Sequence, residues 1–393
     1  MSAVRGNFTK GQFYKSGRIV PGVDNVVSVM DENMHKALRA QMAPAFAMRA
    51  NEQYSFEAGM DRQINSFISM LQTKYTSTDS DIRPVDMAEK TQFLALDIIG
   101  DISVGKPFGY LEEDKDLYDY NEINMTSLPI MALVSVLPWL TDILHRWPFR
   151  LALPSEGDKV GFGRLMGLVT SFVESRMQAT GGKDGDMMQI HIENGLAKRD
   201  LIQQGFVTII AGSNSTAHTL RMTLLSTIST PLVYKMLQLE IDMASPTITS
   251  PIPWRDLDRL PYLQAVVKEG LRMWPPVGGL GFKRVPPGGD YINGYHVPGG
   301  TEIGQAFFAI ERWLSASPDE LRKMNNAVDT HFGGGKFSCL GKPIAMMELH
   351  KSVFELMRNF DMSVVNPHKP MKTTASVFVC DTDFWVTLRK RAE

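Results

Sequence analysis

Residues 332–349, FGGGKFSCLGKPIAMMEL, carry the chain's most chemically suggestive spacing. Three consecutive glycines, Gly333 to Gly335, let the backbone turn tightly and come close to a flat partner. Cys339 follows, just ahead of a helix start with Pro343 in its first turn, where proline is tolerated. A thiol there feels the positive end of the helix dipole, which lowers its pKa and favours the metal-ligating thiolate. Gly341 removes a side chain where that helix would meet a planar cofactor. A lone cysteine is commonly a small buried hydrophobe, but the glycine loop and the helix start together favour a ligand. A zinc site is disfavoured, because no second cysteine or histidine pair stands at ligand spacing.

Glu269-Gly270-Leu271-Arg272 sets a carboxylate and a guanidinium three residues apart on one helix face. Exposed pairs of this kind contribute little. The apolar stretch before this one and Trp274-Pro275-Pro276 after it predict burial and a bracing role. Ala211 to Thr216, AGSNST, lies in a long apolar helical stretch. Glycine beside hydroxyls that back-bond to earlier carbonyls predicts a local bend. His35 and Arg39 stand four apart on an early helix, and Arg284 enters a strand after a Pro-rich run. A guanidinium there suits a carboxylate better than Lys283 would.

The pattern Phe332-x-x-Gly335-x-x-x-Cys339-x-Gly341 resembles the haem-binding loop of cytochromes P450. The resemblance implies that Cys339 is the axial ligand of the iron of haem b (iron protoporphyrin IX), where thiolate donation favours O–O cleavage. The family often has Arg or His two residues before the cysteine to meet a haem propionate. This chain has Phe337, with Lys336 as the candidate substitute. Arg39, with His35 and Arg284, is implied at the propionates. Glu269 and Arg272 match the family's structural E-x-x-R, with Arg312 in Ile310-Glu311-Arg312-Trp313 as the later partner. The AGSNST segment is similar to the family's dioxygen and proton motif. Ser215 falls on the main Thr, Thr216 on the next position and Asn214 on the acid, so the proton relay is weakened or rerouted through water and hydroxyls.

These groups need a scaffold. The chain has 393 residues, 44% hydrophobic and 21% charged, which is ordinary for a globular protein and excludes disorder. Lys plus Arg number 41 against 43 Asp plus Glu, a net charge of −2, so a nucleic-acid footprint is disfavoured. Two cysteines, Cys339 and Cys380, argue against a disulfide scaffold and for a reducing compartment. Helical spacing is clear over residues 35–46, 87–102, 155–176 and 200–229, the last apolar on most faces and therefore interior. After Trp274 the texture turns Pro- and Gly-rich with short β runs, and Asn293-Gly294 signals a hairpin. Helix returns over 340–360, and 376–388 reads as terminal strand. The apolar run 128–140 is shorter than the ~20 residues a bilayer needs and is cut by Pro129 and Pro138. It reads as a buried core segment, with peripheral membrane contact at most. The start, MSAVRGNFTKGQFYKSGRI, has no apolar core and reads as neither signal peptide nor anchor.

The fold expectation is mainly α with a small β region: one cytochrome P450 domain over 1–393, incomplete, with 1–21 a poorly assigned N-terminal segment. The resemblance runs from about Gly22 to the C-terminus and is nearest to fungal enzymes of the pisatin demethylase and secondary-metabolism type, on residues 97–109 (DIIGDISVGKPFG) and 284–304. The N-terminal anchor helix and a segment between Phe308 and Glu311 are expected to be missing. It implies a haem-thiolate monooxygenase that hydroxylates or oxidatively dealkylates a small lipophilic molecule. Dioxygen and a separate NADPH-cytochrome P450 reductase are the implied partners, and the chain is expected to be cytosolic or peripheral at the endoplasmic reticulum. Residues 128–140, Ile209–Ile210, 277–280 and Val377–Phe378 are expected to line its pocket. The alternatives are a truncated non-catalytic remnant with impaired haem binding and a haem-thiolate isomerase or dehydratase.

Overall fold

The computed structural model describes residues 8–20, 22–47, 56–178, 185–277, 283–292, 294–303, 325, 328–374 and 376–391. The helices there are α1 (Glu32–Met42), α2 (Phe56–Lys74), α3 (Met87–Val104), α4 (Tyr110–Glu113), α5 (Tyr120–Val136), α6 (Pro138–Leu144), α7 (Gly161–Gln178), α8 (Met187–Glu193), α9 (Lys198–Ile228), α10 (Pro231–Ala244), α11 (Pro261–Met273) and α12 (Lys342–Asn359). The strands are β1 (Thr9–Lys10), β2 (Val85–Asp86), β3 (Lys283–Arg284), β4 (Asp290–Ile292), β5 (Tyr295–Val297), β6 (Glu302–Ile303), β7 (Phe360–Val364), β8 (Lys372–Thr374), β9 (Cys380–Thr382) and β10 (Trp385–Lys390). All strand pairings are antiparallel, in the orders β1-β3-β6, β2-β10-β7, β4-β5 and β8-β9.

Helix α9 is the spine. It packs on α3, α7, α8, α10, α11 and α12, and α3 also packs on α2. As its apolar surround predicts, α9 runs through the interior. Its buried hydroxyls are tolerated because they bond back along the helix. Ser213 donates to the Ile209 carbonyl at 2.8 Å, Thr223 to Thr219 at 2.7 Å and Thr227 to Thr223 at 2.7 Å. The expected bend does not interrupt the helix, which is continuous over its 31 residues. Gly212 serves packing instead: a Cβ there would stand 2.9 Å from Ile99 Cδ1 on α3.

Helix α3 begins with the Asp86 carboxylate accepting from the Ala88 N–H at 2.9 Å and ends at Gly105 in the left-handed conformation. At the α9–α11 crossing a Cβ on Gly270 would fall 2.0 Å from Thr223 Oγ1 and 3.0 Å from Thr223 Cβ. Alanine is the better helix former by roughly 1 kcal/mol, yet Gly270→Ala is expected to destabilise by about 1–3 kcal/mol through overpacking. A urea titration of both proteins reads the difference directly.

Three expectations are corrected. Helix α7 starts at Gly161 rather than 155, since Asp158 turns the preceding loop by bonding the Ser155 backbone and hydroxyl. Residues 376–388 hold no single strand: β9 begins only at Cys380, and it and β10 belong to different sheets, separated by Asp383 at φ 62°. The run 128–140 is not a core segment. It forms the end of α5 and the start of α6, with Leu128 and Ser135 buried and Ile130, Leu133, Val136 and Trp139 exposed. The 3-10 turn Gln12–Gly17 covers only one side of this pair. The expected hairpin is found between β4 and β5, with Ile292 paired to Tyr295 and Gly294 at φ 84°, while Asn293 lies outside the described residues.

Candidate active site

The loop ahead of α12 closes on itself: the Cys339 N–H donates to the Phe332 carbonyl at 2.6 Å. Gly333 and Gly335 adopt φ 69° and 58°, the left-handed region that only glycine enters freely. Gly341 is the N-cap of α12, and the backbone N–H groups of Gly341 and Lys342 bond the Cys339 thiol. The sulfur therefore sits where a helix start directs N–H groups at an anion. Its accessible face opens on a cavity of about 490 Å³. That cavity is lined by the glycine loop, Leu340 and Pro343 and, from the stretch after α1, Ala43, Phe46 and Ala47.

The thiol pKa itself corrects an expectation. Burial pushes the Cys339 thiol up, and this outweighs the two N–H groups and the Arg39 guanidinium, which pull it down. The helix start alone does not make a thiolate here. A cation bound at the sulfur would supply what is lacking.

Arg39 reaches from α1 to the loop, donating to the Ser338 carbonyl at 2.6 Å and the Ser338 hydroxyl at 3.0 Å. His35, one turn earlier, is buried with its ring 5.2 Å from that of Phe337. Lys336 pairs with Glu32 at 2.7 Å. Opposite them strand β1 pairs with β3, bringing Lys10, which the sequence reading left out, beside Lys283, which it ranked below Arg284. The Lys283 ammonium stands 4.0 Å from the centre of the Phe337 ring, and that of Lys10 stands 5.9 Å from it. Lys10 is held by the carbonyls of Val26, Val27 and Val29. Arg284 lies half-buried on β3 beside Lys283, and neighbours on a strand face opposite sides.

The electrostatics of this group are out of balance. Burial and the neighbouring cations hold Lys10 down to about 7 and His35 to about 4, and burial with Lys336 holds Lys283 down to about 8. The nearby acids are already engaged, Glu32 by Lys336 and Asp24 by Arg18 at 2.6 Å. A cavity-facing sulfur beside the buried Lys10 and half-buried Lys283, which have no ion-pair partner among the described residues, fits a metal-bearing planar group with carboxylates. That is the donor set haem requires.

The other sequence candidates are placed as follows. Arg272 is buried and makes a two-pronged bond to Glu269, both contacts at 2.8 Å. Arg312 and residues 278–280 lie outside the described residues. Ser215 donates to the Ala211 carbonyl at 2.6 Å, and Thr216 is buried. The Asn214 amide is occupied by α5: Asn124 donates to it at 2.9 Å, and it donates to the Tyr120 hydroxyl at 3.1 Å. Tyr120 in turn bonds Ser213 at 2.7 Å. Asn214 thus pins α5 to α9. Ile209 and Ile210 are buried within the core, and Val277 bridges to Phe378. Sequence reasoning also missed a buried charge cluster. Asp381 meets His218 Nδ1 at 2.6 Å and the Arg221 guanidinium at 3.6 Å. No local spacing announces it.

The fold and the cysteine loop define a class, and comparison with known proteins agrees. The cytochrome P450 family model matches residues 6–383. The chain is 36% identical to the cytochrome P450 monooxygenase ABA1 of Pyricularia oryzae, over 100% of this chain and 80% of that protein. It is 33% identical to the cytochrome P450 monooxygenase aba1 of Botryotinia fuckeliana, over 94% of this chain and 76% of the relative. A crystal structure of the cytochrome P450DA heme domain superposes with a TM-score of 0.74 over 99% of this chain and 84% of that one, at 18% identity, which supports the fold. The chain belongs to the cytochrome P450 family, and its relatives are fungal monooxygenases. Haem and iron follow from the family.

Proposed function

We propose that this chain, as a single domain over residues 1–393, is a haem-thiolate monooxygenase of fungal secondary metabolism. It hydroxylates or oxidatively dealkylates a small lipophilic molecule, with Cys339 as the residue that would ligate the iron of haem b. The observation that carries the reading is the Cys339 sulfur itself, bonded by the Gly341 and Lys342 N–H groups and facing the cavity beneath the glycine loop. When bound, haem supplies dioxygen activation, and electrons come from a separate NADPH-cytochrome P450 reductase.

The residues of the chain do the rest. The two N–H groups stabilise negative charge on sulfur, and Arg39 fixes the loop through Ser338. The cations around Phe337 would receive the propionates, and Lys283 would take the place of the base that the family often carries two residues before the cysteine. Ser215 and Thr216 are the hydroxyls available to move a proton. To do so Ser215 must release the Ala211 carbonyl, because Asn214 carries no acidic proton and is held by α5. The helix bundle around Ile209–Ile210 and the strand end at Val377–Phe378 supply apolar walls that exclude water from the reaction.

The test is the absorption spectrum of the dithionite-reduced protein with and without carbon monoxide, followed by reductase-driven turnover. A strongly red-shifted Soret band with oxygenated product is the expected result. A band typical of a neutral ligand, or no haem, overturns the reading. The engagement of Asn214 favours a second reading, rearrangement or dehydration of an already oxidised substrate, and product formation without reductase would establish it.

Lys283 has its own test. A charge-assisted bond to a carboxylate contributes roughly 1.5–3 kcal/mol, so Lys283→Met is expected to lose haem to apomyoglobin about tenfold faster or more. Unchanged loss rates would remove Lys283 from the propionate seat.

A further inference from the structure

Helix α10 is apolar on two sides, although a surface helix needs only one apolar stripe to join a core. Its inner side is complete. Leu237 and Ile241 are fully buried, Val233, Tyr234 and Ala244 pack against the core, and the helix rests on α9, α11 and α12. The outer side carries Leu232, Met236, Leu239 and Met243, all exposed, Leu232 at 70% and Met243 at 82%. Single exposed apolar side chains are ordinary, but these four are not scattered. They recur at steps of four, three and four residues, which sets them in one line along the helix. That is the spacing of the contact seam between two helices of a coiled coil. A continuous apolar line over three turns marks a surface that another element covers.

The pattern matches a second copy of itself. The order of steps reads the same from either end of the helix. A twofold axis crossing between Leu237 and Gln238 therefore sets Leu232 against Met243, and Met236 against Leu239, in an antiparallel pair that leaves no member of the line open. The charges agree. Lys235 is exposed on one flank of the line and has no ion-pair partner among the described residues. Asp242 lies seven residues further on the same flank, exposed and bonded to Arg391 at 2.8 Å. Antiparallel pairing brings Lys235 of each copy beside Asp242 of the other, twice by symmetry. A parallel pair would instead turn Lys235 toward Glu240, whose two oxygens already accept from the Tyr262 and Leu263 N–H groups at 2.8 Å.

We infer that the outer face of α10 is a self-association surface, on which two copies of this chain pair antiparallel through Leu232, Met236, Leu239 and Met243. The inference stands apart from the haem reading, since none of these residues lines the cavity at Cys339. The seam is about 16 Å long. That is short for a permanent dimer, so the dissociation constant is expected to be on the order of micromolar.

The test is sedimentation velocity of the purified full chain at concentrations spanning the micromolar range, at low and high salt. The wild type is expected to pass from monomer to dimer and stop there, because a twofold contact is closed. Met236→Gln/Leu239→Gln keeps good helix formers at exposed sites and removes four apolar side chains per dimer. It is expected to raise the dissociation constant at least about tenfold. Its thermal midpoint at monomer concentration should match the wild type, which separates lost docking from lost folding. Lys235→Glu places like charges together twice and is expected to weaken the dimer at low salt, and Lys235→Glu/Asp242→Lys to restore it. A monomer at every concentration, a dimer that the glutamine variant leaves intact, or open-ended aggregates in place of a dimer overturns the inference. Equal dimerisation of Lys235→Glu at low salt overturns the antiparallel arrangement. Binding of the monomer to phospholipid vesicles that the glutamine variant abolishes, with no dimer in solution, would assign the line to lipid and equally overturn it.

Discussion

Cys339→Ser is expected to fold with the same thermal midpoint as the apoprotein and to lose the red-shifted Soret band of the reduced carbon monoxide complex completely, with turnover falling to background. Serine preserves the size of the side chain, so the loop closure from Cys339 N–H to the Phe332 carbonyl and the α12 N-terminus survive. What disappears is a group that can carry negative charge near neutral pH. Even in cysteine the balance runs against the thiolate. Burial raises the thiol, and the Gly341 and Lys342 N–H groups with Arg39 oppose it. A serine hydroxyl ionises far above this range, and two N–H groups and one guanidinium do not make up that difference. Retention of the red-shifted band in the serine variant would show that another residue ligates iron. Arg39→Met is the useful companion, because it removes one opposing charge and the loop anchor at Ser338 while leaving the sulfur in place.

The second large effect is on stability. Asp381→Asn is expected to destabilise by about 3–5 kcal/mol, the cost of leaving a buried cation without its counter-charge. Asp381 is buried at the foot of the β8–β9 hairpin and holds His218 at 2.6 Å, the Thr373 hydroxyl at 2.9 Å and Arg221 across 3.6 Å. Arg221 is itself buried, bonded to Thr91 and Gln92, and burial holds its guanidinium below the usual range. Asparagine keeps the shape and loses the charge, so the penalty isolates electrostatics. Chemical denaturation gives the magnitude. The double variant Asp381→Asn/Arg221→Met should recover much of the loss, since neither charge then remains buried alone. Additive effects in the cycle would mean that the two residues do not sense each other. The hairpin also carries Val377 and Phe378 beside Val277, so the same variant is expected to loosen the apolar wall.

Much of this molecule is written in short stretches of chain. Four glycines, a cysteine and a proline within residues 333–343 encode a tight loop and a helix start, because φ > 0 and the N1 position are properties of single residues. The spacing of Glu269 and Arg272 encodes their two-pronged bond, since residues three apart on a helix are neighbours. The apolar surround of α9 encodes its burial. The hairpin between β4 and β5 is equally local.

The remainder was decided by which faces meet. Strands β1 and β3 are two residues each, too short to show a period, and their pairing is what brings Lys10 and Lys283 to Phe337. Nothing beside Asn214 in the chain announces Asn124 or Tyr120, and nothing beside His218 announces Asp381. The run at 128–140 shows the limit most clearly. Its composition is that of a core segment, but hydrophobicity records only that a surface favours leaving water. Whether protein covers that surface depends on the elements packed around it. The short turn at Gln12–Gly17 covers one side of α5 and α6 and leaves the other bare. Local sequence determined the cysteine loop and the helices that carry it, because their contacts lie within a few residues along the chain. Tertiary packing alone decided the counter-charges, the cation seat and the bare side of α5 and α6, because each depends on contacts between segments far apart in the chain.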